Sequence, residues 1–196
     1  MSFVTIRRRK GNISVTATGR DCVARYGRMM GRRARLFYPG VPTHMTSRGV
    51  DDQPIFRSDL DRYELLAHLR KVTHRVGWRV VSWCLMTTHY HLLVIVPDEL
   101  RVSWAMQTVN SVYAREFNRR HRRRGHVFGD RFADTLVESD PHCEKTIAYI
   151  LENPVRAGIV AKVEDWPWSG FATLRPRDEL DTLPEPSWHN PVRRAG

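Results

Sequence analysis

The stretch CLMTTHYHLLVIV, residues 84–96, decides how this chain is read. Its apolar run is strand-sized and far too short to span a membrane. Successive side chains on a strand point to opposite faces, so His89 and His91 should project together while Tyr90 points the other way. Two imidazoles held side by side on a rigid strand are half of a metal site. The bland alternative is a pair of hydrogen-bonded sheet residues, and the rest of the chain has to choose between the two.

Working outward, the pattern predicts a strand over 41–47 and a helix over 58–76. Ser58 suits the N-cap of that helix, with Leu60, Tyr63, Leu66, Leu69 and Val72 as its apolar stripe. Strands follow at 78–86 and 89–96, separated only by Thr87 and Thr88. A second helix is expected over 102–121, burying Trp104, Val109, Val112, Tyr113 and Phe117, and then a strand over 134–139. A short helix should start at Pro141 after a possible cap at Asp140 and stop at Pro154. The order β-α-β-β-α-β plus a terminal helix describes an α+β ferredoxin-like (RRM-like) sandwich. Its antiparallel sheet would carry helices on one face and a C-terminal, tyrosine-bearing helix.

Bulk properties bound the function. With 196 residues, 41% hydrophobic and 27% charged, the chain reads as globular, with one core of useful size. Cys22, Cys84 and Cys143 show no C-x-x-C pairing, which argues against a disulfide framework or a zinc cluster. No secretory signal is visible, so a cytoplasmic home and no membrane partner are expected. The net charge of +11 suggests a polyanionic partner. Residues 1–35 hold ten Arg/Lys against Asp21 alone, which leaves only +2 for everything after them. The folded part must therefore bind through local patches. Three regions are expected: a basic extension over 1–31, disordered or the product of an over-extended start; a domain over 32–172; and an irregular Pro- and charge-rich tail over 173–196. Met29 and Met30 would mark the shorter start.

Two further features bear on chemistry. In TIAYILENPVRAGIV, Tyr149 and Asn153 stand four apart and so share a helix face. A tyrosine near a helix end is usually a packing residue with a wet hydroxyl. Beside a His-x-His strand, Asn153 could instead offer a third ligand and Tyr149 a phenolic oxygen to the same centre. The run AREFNRRHRRRGH, residues 114–126, opposes Arg115, Arg119, Arg120, Arg122, Arg123 and Arg124 with Glu116 alone. Such runs are often solvated helix faces, yet guanidinium forks also suit phosphate. Arg48, Arg131 and Arg156 are further candidates for DNA contact, with structural ion pairs an equal explanation for each. His44 could approach the site or be a hydrogen-bonded core histidine. Trp166 and Trp168 should pack the C-terminal segment onto the core.

The segments GVPTHMTSRGVDDQPIF (40–56), SWCLMTTHYHLLV (82–94), GHVFGDRFADTLVESD (125–140), YILENPVRAGIV (149–160) and WPWSGF (166–171) occur in a telling order. Together they resemble the REP-associated tyrosine transposases, single-tyrosine IS200-like members of the HUH single-strand nuclease superfamily. The similarity covers about residues 30–172. It implies that His89 and His91 are metal ligands, Asn153 completes the metal site and Tyr149 is the nucleophile. The implied cofactor is Mg²⁺ or Mn²⁺, and the implied partner is single-stranded or hairpin DNA. Relatives usually read Pro-Asn-His where this chain has Thr87-Thr88-His89, which puts the turn geometry in question.

The implied chemistry is physically coherent. An ordinary tyrosine, with a pKa near 10, is a poor nucleophile at neutral pH. A divalent cation on a phosphate oxygen would neutralise charge and align the scissile bond for in-line attack. The resulting phosphotyrosyl link retains the bond energy, so strand transfer needs no nucleotide cofactor. The rival expectation is a catalytically inactive nucleic-acid-binding protein of the same fold. An RNA-binding sheet is less favoured, lacking the aromatic pattern such sheets use, and a zinc hydrolase lacks an H-E-x-x-H motif. The DNA repeat recognised, and a choice between monomer and homodimer, are not encoded legibly.

Overall fold

The computed structural model describes residues 37–98 and 101–171, together with two strands at 4–9 and 12–17. Those strands, β1 (Val4–Arg9) and β2 (Asn12–Ala17), pair antiparallel in a sheet of their own. The alternations Val4-x-Ile6 and Ile13-x-Val15 are too short to stand out from the surrounding charge, so the pattern predicts no strand within the basic extension. The rest of the extension and the tail after Phe171 lie outside the described residues.

The main sheet holds β3 (Pro42–Arg48), β4 (Arg79–Leu85), β5 (His89–Ile95), β6 (Ala133–Leu136) and β7 (Ser169–Phe171), in the order β6-β3-β5-β4-β7. Every pairing is antiparallel. Three helices complete the α+β layers: α1 (Asp59–Val76), α2 (Val102–Arg120) and α3 (Asp140–Arg156). The first four strands in space reproduce the expected ferredoxin-like order. β7 is an addition, too short at three residues to announce itself by pattern.

The two faces carry separate cores. Met45, Trp83, Leu85, Tyr90, Leu92 and Val94 meet α1 and α2. Val81, Cys84, Leu93 and Ile95 meet Cys143, Ile147, Ile150 and Leu151 of α3. A register shift between Val80 and Ser82 resets the alternation within β4, so that Val80 and Trp83 both face the α1/α2 core while Val81 and Cys84 face α3.

The helix boundaries follow local chemistry. The Ser58 hydroxyl accepts a hydrogen bond from the Asp61 N–H while the Asp61 carboxylate accepts one from the Ser58 N–H, a reciprocal box; Gly77, at φ 70°, closes the far end of α1. The cap of α3 is Ser139 rather than Asp140, with its side chain accepting from the His142 N–H. Pro154 does not stop α3, which runs on to Arg156 and turns at Gly158, φ 66°. A proline so near the end forfeits a single backbone bond, and the N–H groups of residues 157–159 recapture the last carbonyls. Leu60 and Trp104 also depart from expectation, being 46% and 42% exposed. Both lie in first turns on the flank of their stripes, and Trp104 is covered by the Arg75 guanidinium, 5.3 Å from its ring. Trp168 is buried in the α1/α2 core and Trp166 packs beside it, as expected.

Candidate active site

β5 places His89 and His91 on the α3 face with ring centroids 4.9 Å apart, while Tyr90 points into the other core and donates to Asn110 at 2.6 Å. The turn before them is held firmly despite the missing Pro-Asn pair. The Thr88 carbonyl accepts from the Gly49 N–H and the Thr87 carbonyl from the N–H groups of Ile55 and Phe56. The Thr88 hydroxyl lies 3.0 Å from His89 Nδ1. A side chain therefore orients the first imidazole from behind.

The second is oriented by β3. Thr46 lies opposite His91 in the sheet register, and its hydroxyl is 3.1 Å from His91 Nδ1. His44, two residues earlier on the same face, brings its Nε2 to 3.0 Å from the same nitrogen, with the rings near-parallel at 26°. His44 thus does both things foreseen for it: it is hydrogen-bonded, and it is part of the cluster. Thr46 was not foreseen, although its i+2 spacing from His44 on a strand was the available signal.

His91 is 4% exposed, and its Nε2 is a buried nitrogen with no hydrogen-bond partner. Burial, reinforced by His44, His89 and Arg48, lowers the His91 pKa to about 3. Burial and Arg48, partly offset by Asp52, bring His89 down to about 4. Burial and His142 also lower His44. At neutral pH the imidazoles are uncharged and keep a lone pair, the form that ligates metals.

α3 lays the Tyr149 ring edge-on to this cluster, 5.8 Å from His91 and 6.2 Å from His44 between centroids. At 40% exposure the ring is open to a substrate from outside. The Arg156 guanidinium lies 5.5 Å from the ring centroid and is paired with Glu152 at 3.7 Å. Tyr113, the other candidate nucleophile, is fully buried on the inner face of α2, donates its hydroxyl to the Ile55 carbonyl and has its pKa raised by burial and by Asp61.

Asn153 lies one turn beyond Tyr149, with Nδ2 donating to the Tyr149 carbonyl at 2.8 Å. That bond leaves Oδ1 as the uncommitted end of the amide, but no hydrogen bond joins it to the imidazoles. Among the described residues no three His, Cys, Asp or Glu side chains are disposed to hold a metal ion. A cation here would rest on the two β5 imidazoles, one amide oxygen, and oxygens from water or phosphate. The orphaned, uncharged His91 nitrogen fits that demand, and a mixed N/O set suits Mn²⁺ or Mg²⁺.

The arginines divide. Arg115, Arg119, Arg122 and Arg131 are exposed. Arg48 is exposed but bonded to Asp52 at 2.6 Å, and Arg123 lies 5.7 Å over the Phe117 ring. Arg120 grips Asp61 and Glu64, so its charge is committed to the fold.

Residues 41–153, which contain His44, His89, His91, Tyr149 and Asn153, match the family described as transposase, IS200 like. The chain belongs to the IS200-like transposase family. A Haemophilus influenzae relative named as a REP-associated tyrosine transposase is 28% identical over 118 residues, covering 55% of this chain and 67% of its own. A solved structure of a REP-associated tyrosine transposase bound to a REP hairpin superposes with a TM-score of 0.56 at 22% identity, covering 71% of this chain and 82% of that one. At that identity the likeness is one of fold, and it agrees with the antiparallel sheet and three helices found here. Among the described residues no helix is long and apolar enough to cross a membrane.

Proposed function

We propose that this IS200-like transposase cuts and rejoins single-stranded DNA at a hairpin, with Tyr149 as nucleophile and a divalent cation at His89, His91 and Asn153. One observation carries the proposal: an exposed tyrosine ring lies 5.8 Å from a buried imidazole whose Nε2 has no partner. Buried side-chain nitrogens are paired in most folds, and this unpaired one stands beside the exposed tyrosine rather than in an apolar core. The hairpin comes from the name of the related structure and from the exposed arginines at the end of α2.

His91 and His44 hold the Tyr149 ring edge-on, and the Arg156 guanidinium packs against that ring. The phenolic proton leaves to solvent. The oxygen attacks phosphorus, a phosphotyrosyl bond forms, and the scissile P–O bond breaks with its electron pair going to the departing DNA oxygen, which takes a proton from solvent to become a hydroxyl. Asn153, tied to the Tyr149 carbonyl, keeps the third ligand in step with the nucleophile along one helix. The cation, when bound, neutralises a non-bridging phosphate oxygen and polarises phosphorus. Reversal by a DNA hydroxyl rejoins the strand.

The test is incubation of the full chain with a hairpin-bearing single-stranded oligonucleotide and Mn²⁺. A covalent adduct should form and should be absent with Tyr149→Phe. An adduct that survives the substitution removes Tyr149 from the role. Hairpin binding of undiminished affinity without cleavage, across Mn²⁺ and Mg²⁺, would support the inactive binding protein instead.

A further inference from the structure

His44 lies behind His91 rather than beside its free edge. Its Nε2 is 3.0 Å from His91 Nδ1, on the side of the ring away from the orphaned Nε2. It is therefore not a third ligand. A neutral imidazole carries one proton, on either nitrogen, and only the unprotonated one can bind a metal. Between His44 Nε2 and His91 Nδ1 a single proton must be shared, which leaves two arrangements. If His44 donates, His91 carries its own proton on Nε2, where a buried N–H has no acceptor. If His91 donates from Nδ1, its Nε2 keeps a lone pair aimed at the site.

We propose that His44, supported by Thr46, is a positioning residue that accepts the His91 Nδ1–H and so fixes Nε2 as the ligating nitrogen. The inference rests on the metal-centre reading above for its purpose, though not for its geometry. The Thr46 hydroxyl, 3.1 Å from Nδ1, can donate or accept and so adapts to either arrangement; the buried Nε2, which would have no acceptor for a proton of its own, decides between them. The hydroxyl's distance of 3.5 Å to His44 Nε2 lets it hold both rings in the near-parallel arrangement. β3 builds this device into the sheet, since Thr46 is the register partner of His91 and His44 lies two residues along the same face. Groups behind a metal-bound histidine commonly set its tautomer and basicity, and their loss costs about 10–100-fold in metal affinity.

The experiment uses the full chain and two readouts. Long-range ¹H–¹⁵N correlation of the metal-free protein reports the His91 tautomer directly, and Mn²⁺ titration by calorimetry reports affinity. The wild-type chain should show His91 protonated on Nδ1. In His44→Phe, which keeps a ring but no acceptor, the Nε2–H tautomer should grow and Mn²⁺ affinity should fall about 10–100-fold. His44→Gln, whose amide oxygen can accept the same bond, should recover most of both, and keeps the test open should the Phe variant fold poorly. A wild-type His91 protonated on Nε2, or a His44→Phe variant with unchanged tautomer and unchanged affinity, overturns the proposal. A wild-type chain with the Nδ1–H tautomer but no Mn²⁺ binding would instead overturn the metal reading and leave the positioning role standing.

Discussion

At the start of α1, where it packs on the end of α2, Asp61 is fully buried and wholly answered. It accepts from the backbone N–H groups of Arg57 and Ser58 at 2.9 and 3.0 Å, meets His121 at 3.0 Å and grips Arg120. On the reverse of the same sheet, beneath α3, three imidazoles gather and the most buried of them keeps an unanswered nitrogen. Burial pushes the Asp61 carboxyl up, but His121, the Arg57 N–H and Arg120 outweigh it and the net shift is downward. Burial depresses His89 and His91, and Asp52 offsets only part of the shift at His89. Asp61 commits its oxygens to holding the fold, whereas His91 is the one described histidine with a buried, unpaired nitrogen, and it lies beside an exposed tyrosine ring.

Substitutions should separate the faces cleanly. Tyr149→Phe should abolish the covalent adduct while changing unfolding free energy by no more than about 0.5 kcal/mol, as for other surface positions. Urea denaturation beside a gel assay reads both, and a large stability loss would mean the ring is structural. Asp61→Ala should do the reverse, costing about 3–5 kcal/mol because it strands Arg120 and His121, with adduct yield per folded molecule unchanged. A drop in that yield would join the two faces into one functional unit.

Acid should find the α3 face first. The folded chain holds His89 near 4 and His91 near 3, below the ordinary 6.5, so folding favours their neutral forms. That contribution is complete above pH 6.5 and is lost as pH falls through the folded values. The melting temperature of the metal-free chain should therefore decline from pH 6.5 toward 4.5, and the decline should be shallower in a His89→Asn/His91→Asn double variant. Identical slopes would deny the depressed histidines. The smallest effect concerns neighbouring arginines. Arg119→Gln should reduce the salt dependence of hairpin binding by about one unit of log–log slope, whereas Arg120→Gln should act mainly on stability. Equal salt slopes for the two variants would mean that the ion pair with Asp61 does not commit Arg120.

Much of this division was legible from residue order. Period-two alternation placed His89 and His91 on one face and Tyr90 on the other, and Ser58 announced the start of α1. Leu60 and Trp104 misled because a stripe fixes the direction of a helix face but not how far neighbouring elements wrap around its flank. Pro154 misled because a breaker near a helix end breaks little. Thr46 went unnoticed because its importance arises only when β3 and β5 come into register, a pairing across 45 residues that no local pattern contains.

The most direct test of the α3 face as the reactive one is tryptic mapping of the DNA-linked protein by mass spectrometry. The account predicts the nucleotide adduct on the peptide TIAYILENPVR, residues 146–156, which carries Tyr149. An adduct on VSWAMQTVNSVYAR, residues 102–115, would put the chemistry on Tyr113 beneath the opposite face and contradict it.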